Sequence, residues 1–244
     1  MSDETKPSAD RLSEWFVPRF GSRRFRTAFG LLFPPYTGMV LAYAVFGSML
    51  APEVHWDRVG AVVLIYFLGL GVAAHALDGI GGGGAAPWGD AFSRKGLWVA
   101  VVVSLTAAYG IAAYYMIQYV PYLLVIALLE GFFAFAYNLE WFAGRFHTDG
   151  WFAFSWGFLP VTAGYLIQTN GLSLSALVVG GAASLFSLVE INASRPYKAL
   201  KRRRNGLGEE ERRRMDRYER ILKSVSMGVC LMGAALLWWR WWGG

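Results

Sequence analysis

Cysteine is almost missing from this chain. The single example, Cys230, stands inside an apolar stretch. One cysteine excludes an intramolecular disulfide and a cysteine zinc site, and its thiol reads as a small packing group. Charge is also scarce. Only 16% of residues are charged, against about 25% in a soluble domain, so the solvated shell of a soluble protein is not there. The apolar runs do not alternate with polar residues, which argues against a barrel and for helices. The first 28 residues are polar and charged, so no cleavable signal peptide is expected and the first apolar span serves as an uncleaved anchor.

What is present is apolar length. Apolar residues make up 55% of the chain, and runs of about twenty such residues read as transmembrane helices. Seven spans are expected, at roughly 29–50, 58–77, 97–117, 119–138, 150–168, 172–193 and 222–242. The expected fold class is therefore an all-α polytopic helical bundle. Residues 1–28 form a polar cytoplasmic tail and interfacial segment, and 29–244 form the transmembrane domain. The tail to about residue 14 reads as mobile. Trp15, Phe16 and Phe20 interleave with Arg19, Arg23, Arg24 and Arg26 and suit the interface. Pro34 and Pro35 stand where a helix can start or the chain can bend.

The net charge is +6, and its placement carries the topology. Lys and Arg crowd into the tail and the loops after spans 2, 4 and 6. The other loops hold almost none, with Arg58 as the exception. The positive-inside rule then places the N-terminus in the cytoplasm and the C-terminus outside, as a multi-pass protein of the plasma (inner) membrane. Anionic headgroups at the cytoplasmic face, and no nucleic acid, are the expected partners of the basic clusters. Trp238 to Trp242 read as boundary anchors.

The loop at about 195–222 is expected to hold a short surface helix. Its start is marked by Glu209, Glu210 and Glu211 at a positive helix end, with Glu209 facing Arg213 and Glu210 facing Arg214. A solvated helix and a lid over a cavity are both open for it. Gly69 and Ala73, four apart, would let a neighbouring helix approach closely.

Three span ends carry polar groups on the same expected side. His75 and Asp78, three apart, share a helix face at the end of span 2, although Asp78 alone would also suit a span end. Glu130, Tyr137 and Asn138 share a face of span 4, with Glu130 at mid-span, where a carboxylate is costly. Ser187, Glu190 and Ser194 form a stripe on span 6, followed by Arg195, Lys198 and Lys201. A carboxylate beside a basic run suits a metal–diphosphate, the acid holding the cation and the bases holding phosphate oxygens. Arg145, His147 and Asp149 lie in a loop that would face the same place. The glycines at 81–84 lack the Lys-Ser/Thr of a phosphate-binding loop and read as flexible.

The polar ends of spans 2, 4 and 6, the stretch Tyr137-Asn-Leu-Glu140 and the run from Phe152 to Tyr165 together resemble the UbiA superfamily of intramembrane prenyltransferases, over roughly residues 25–200. Asp78 matches the central Asp of the family's first motif. His75, Ala74 and Gly82 replace its other members. Glu190 matches the first acid of the second motif, and Ser194 replaces the second. Tyr137 is kept from a Tyr-x-x-x-Lys pattern, and Trp141 stands at the Lys.

The resemblance implies transfer of a prenyl group from a prenyl diphosphate to a lipid-soluble acceptor. Asp78, Glu190 and Asp90 would hold magnesium (Mg2+), and Arg195, Lys198 and Arg145 the diphosphate. His75 would hydrogen-bond the diphosphate or act as a base. Tyr137 is placed with the catalytic groups, and Asn138 and Glu140 with the substrate. Phe152, Trp156 and Tyr165 would line the prenyl tunnel. Two other readings stand beside it. One is a non-catalytic isoprenoid-binding or scaffold protein on the same fold. The other is a small transporter using Glu130 and His75 as a proton relay.

Overall fold

The computed structural model describes residues 11–81, 92–203 and 206–243, and every regular element among them is helical. A short turn at Arg11–Ser13 precedes α1 (Arg23–Leu31) and α2 (Pro34–Met49). Next come α3 (Trp56–Gly81), α4 (Arg94–Gln118) and α5 (Leu123–Asn138). Helix α6 covers 149–169, α7 is Leu174–Arg202 and α8 is Glu209–Gly243.

Local chemistry sets most of the starts. Ser22, Ser93, Thr148 and Ser173 each accept a backbone N–H from the first turn that follows, satisfying a donor that has no partner within the helix. Pro34 and Pro35 occupy the opening turn of α2, where a missing N–H costs nothing. Ahead of them Phe33 is left-handed, at φ 46°, and the chain bends by 43° between α1 and α2. Asn170, at φ 53°, turns the chain from α6 into α7.

Four helices, α3, α4, α7 and α8, are long and apolar enough to cross a membrane, and the bent pair α1 and α2 makes a fifth if taken as one. All seven expected stretches are helical, but two do not reach that standard. Helix α5 has 16 residues, about 24 Å, short of the ~30 Å hydrocarbon core. Helix α6 carries polar groups along its length, and its neighbours bury most of it, from Phe152 through Gln168. A helix surrounded by protein does not need a uniformly apolar surface. Thr162 and Ser155 turn their hydroxyls back to carbonyls one turn earlier.

The tightest crossing joins α6 to α2. A Cβ on Gly47 would lie 1.8 Å from the Val161 carbonyl oxygen, and one on Gly164 would lie 2.0 Å from that of Ala44. Ser48 Oγ donates to the Gly164 carbonyl at 3.1 Å across this contact. The close approach expected at Gly69 is not there, since nothing lies within 4 Å of a Cβ at that position. Gly69 falls in a π-helical segment, Phe67–Ala74, whose wider turn shifts the register of the face that follows. Ala73 does pack tightly, in a cluster with Ala76, Leu77 and Val101.

The expected loop at 195–222 is also corrected. Helix α7 continues to Arg202 through Pro196, and α8 starts at Glu209, so the two helices are separated only by 203–208. The expected short surface helix is the first part of a continuous 35-residue helix. Residues 212–223 contain no Gly or Pro to stop it. Met215, Tyr218, Ile221 and Leu222 give it an apolar side against Tyr197, Ala193 and Trp15. The Glu209–Arg213 and Glu210–Arg214 pairs form as expected. Residues 11–18 are anchored as well. Val17 is buried, Phe16 packs on Phe33, and Glu14 accepts from Tyr197 and Lys201 at 3.0 and 2.9 Å.

Arg58, the charge that broke the loop pattern, has a structural use. Its guanidinium donates to the carbonyls of Ile167 and Gln168 at the end of α6, where a cation is favoured. The Gln168 amide meets the His55 backbone both ways, accepting from its N–H at 2.8 Å and donating to its carbonyl at 3.2 Å.

Candidate functional site

Up-and-down connections bring the ends of α3, α5 and α7 to the starts of α2, α6 and α8. Of the polar groups at these ends, His75, Tyr137 and Lys198 lie against one set of aromatic rings. The His75 ring stacks 5.8 Å from Phe33, lies 5.3 Å from Trp156, and has Nε2 3.4 Å from Thr37 Oγ1. Tyr36, Phe152 and Trp156 form one aromatic wall, with centroid separations of 5.3 to 6.4 Å. Tyr137 continues it at 5.8 Å from Phe152. Lys198 Nζ lies 4.8 Å from the Phe33 centroid and 5.5 Å from that of Tyr36. An ammonium over two ring faces is held by their quadrupoles.

The carboxylates divide into two neighbourhoods. Asp78 is exposed at the end of α3, within electrostatic reach of Tyr137, as are Asp149 and Arg195. Arg195 is paired with Asp149 at 2.8 Å, both partly exposed, which joins the ends of α7 and α6 at a worth of about 0–1 kcal/mol. Glu190 is buried, within range of Lys198, Tyr43 and Cys230, and its Oε1 has no hydrogen-bond partner. Ser187 and Ser194 are buried on the same stripe. A cavity of about 10 Å³ lies between Glu190, Ser194, Lys198, Tyr36 and Phe16, the space of about one water. Residues 14–16 form part of its wall.

The remaining expected residues lie as follows. Asn138 is buried and turns its amide back to the Ala134 carbonyl at 2.7 Å. Glu140 and Arg145 are exposed in a turn where Glu140, Phe142 and Ala143 all have positive φ, a strained arrangement for residues other than glycine. In the same loop the His147 ring stacks 4.4 Å from Tyr137. Tyr165 follows Trp156 by nine residues, about 13 Å along α6, and sits at the α2 crossing near Gly47. Asp90 and Gly82 lie outside the described residues. Among the described residues no three His, Cys, Asp or Glu side chains group as a metal-holding set. Glu130 pairs within the middle of the bundle. Its Oε1 accepts from the Tyr66 hydroxyl at 2.8 Å, nine residues before His75.

Sequence reasoning missed Phe33, Tyr36 and Thr37, which reach the site because Phe33 turns the chain ahead of α2. It also missed Glu14 as an anchor. The aromatic pair flanking Pro34 and Pro35 was the available signal for the first group. Comparisons with protein-family models, curated proteins and solved structures gave no match.

Proposed function

We propose that the chain is a UbiA-like intramembrane prenyltransferase, its seven helical stretches crossing the inner membrane with the N-terminus cytoplasmic and the C-terminus outside. The observation that carries this reading is the placement of Lys198 over Phe33 and Tyr36, beside His75 and the Phe152–Trp156 wall. Cations beside a continuous aromatic surface suit an amphiphile with an anionic head and an apolar chain. Lys198 and Arg195 take the phosphate oxygens, with Arg145 available from its exposed turn. The aromatic faces favour an allylic cation as the carbon–oxygen bond breaks and its electron pair leaves with the diphosphate. An acceptor held in the membrane attacks that carbon, and His75 takes the proton the acceptor loses. Tyr137, Asn138 and Glu140 border the same end, and Tyr165 lies deeper along α6.

The unpartnered Oε1 of Glu190 fits a hard cation. Magnesium commonly uses one or two carboxylates with phosphate and water, so Glu190 and Asp78, in their separate neighbourhoods, would each offer it a single carboxylate beside the diphosphate. When bound it neutralises the charge on the diphosphate.

The second reading is a relative that holds an isoprenoid lipid without turning it over. It is favoured by the residues His75, Gly82 and Ser194, which stand where the family carries acids. Purified protein with radiolabelled farnesyl diphosphate, with and without magnesium, tests both. Transferase activity requires magnesium-dependent binding that falls at least tenfold in Asp78→Ala and Lys198→Met, with diphosphate release on adding an acceptor. Binding without release supports the second reading. Binding indifferent to magnesium, Asp78 and Lys198 refutes the first.

A further inference from the structure

A separate cavity lies between α3, α4 and α5, with Ala163 of α6 at its floor. Its volume is about 70 Å³, and a water needs about 10–15 Å³ by the same measure, so it holds roughly five water-sized groups. The walls are aliphatic, from Val62, Ile65, Leu70, Leu105 and Ile126 among others. Three polar side chains reach it, and two are satisfied. Tyr66 donates to Glu130 Oε1 at 2.8 Å, and Tyr109 donates to the Ala127 carbonyl at 2.8 Å. Glu130 Oε2 is buried with no hydrogen-bond partner. Tyr109 is itself exposed at the outside of the bundle, so the cavity has a mouth there. Gly69 lies in the wall with nothing within 4 Å of its Cβ direction.

We infer that this cavity binds the hydroxyl end of a long-chain aliphatic alcohol from the surrounding bilayer. A buried oxygen with no partner selects for a ligand that supplies one. A hydroxyl does so whichever protonation state Glu130 holds, because it donates to a carboxylate and accepts from a carboxylic acid. A hydrocarbon tail leaves Oε2 unpaired, and a fatty acid places a second acid against Glu130. The space admits the hydroxyl and about four carbons, each near the size of a water. The rest of the chain leaves past Tyr109 into lipid. This assignment does not depend on the reading of the helix ends, since no residue of that site lines the cavity.

The test is photolabelling of the detergent-solubilised full chain with a diazirine-bearing decanol, with adducts located by peptide mass. Label is expected within 62–70 and 105–131. Unlabelled decanol should compete about tenfold better than decane, which supplies no oxygen in either protonation state, the effect of one hydrogen bond. Gly69→Leu fills open space, so it should keep the melting profile and lower the label at least tenfold. The double variant Tyr66→Phe with Glu130→Leu removes the polar pair together, leaves no orphaned hydroxyl, and should erase the preference for decanol over decane. Equal competition by decane, label spread over the exposed faces of α4, α7 and α8, or full labelling of Gly69→Leu would overturn the assignment. Stronger competition by decylamine than by decanol would overturn the choice of an alcohol.

Discussion

Replacing Gly164 by Ala should damage this fold more than its single methyl group suggests. The new Cβ would lie 2.0 Å from the Ala44 carbonyl oxygen and 3.0 Å from Ser48 N. Both neighbours are backbone atoms of α2, so no side chain can swing aside. To restore ordinary contact, α2 and α6 must part by about 1 Å or more, and overpacking of this kind typically costs about 1–3 kcal/mol. Parting the helices also loses the Ser48 to Gly164 contact, but the hydroxyl keeps the Ala44 carbonyl at 3.0 Å as an acceptor, so little is added. The expected loss is therefore about 1–3 kcal/mol, or on the order of 2–12 °C in the melting midpoint of a domain this size. Gly69→Ala is the internal control. Its Cβ meets nothing within 4 Å, so the change should be neutral or stabilising by up to about 1 kcal/mol. The assay is the midpoint for loss of monodisperse protein on heating in detergent, read by size-exclusion chromatography. A Gly164→Ala midpoint within about 2 °C of wild type, or an equal fall for Gly69→Ala, would refute the claim that backbone contact holds α2 to α6.

Other outcomes follow from the same contacts. Gln168→Leu leaves the His55 N–H and carbonyl without their partners and should cost about 1–3 kcal/mol. An unchanged melting midpoint would show that water replaces the amide. Glu14→Ala removes the acceptor of Tyr197 and Lys201. Cleavage by trypsin near Arg19 and Arg23 should then quicken about tenfold through local opening, while an unchanged rate would show that Phe16 and Val17 alone hold the segment. The same variant should raise farnesyl diphosphate binding, because residues 14–16 wall a cavity with room for only about one water. Tyr218→Pro should break α8 early in its continuous length, at a cost of about 3 kcal/mol or more. A melting midpoint equal to wild type would mean the helix is not continuous there.

Much of this protein is local and was legible residue by residue. Apolar run lengths mark the helices, and Pro34 and Pro35 mark the bend. The spacing of Glu209 and Glu210 from Arg213 and Arg214 predicts their pairs. The polar ends near His75, Tyr137 and Glu190 follow from where the apolar runs stop. Each depends on neighbours within a turn or two, so periodicity and composition suffice. The rest depends on groups far apart in the chain. Ser48 meets Gly164 across 116 residues, and Lys201 meets Glu14 across 187. Composition does not reveal that α6 is enclosed by protein, that Gly69 faces open space while Gly47 faces a backbone, or that α8 runs on along Tyr197. These facts come from which helix faces meet, and a helical period says that a face exists without saying what covers it. The aromatic wall under Lys198 and the aliphatic cavity at Glu130 were decided in the same way, by packing in three dimensions.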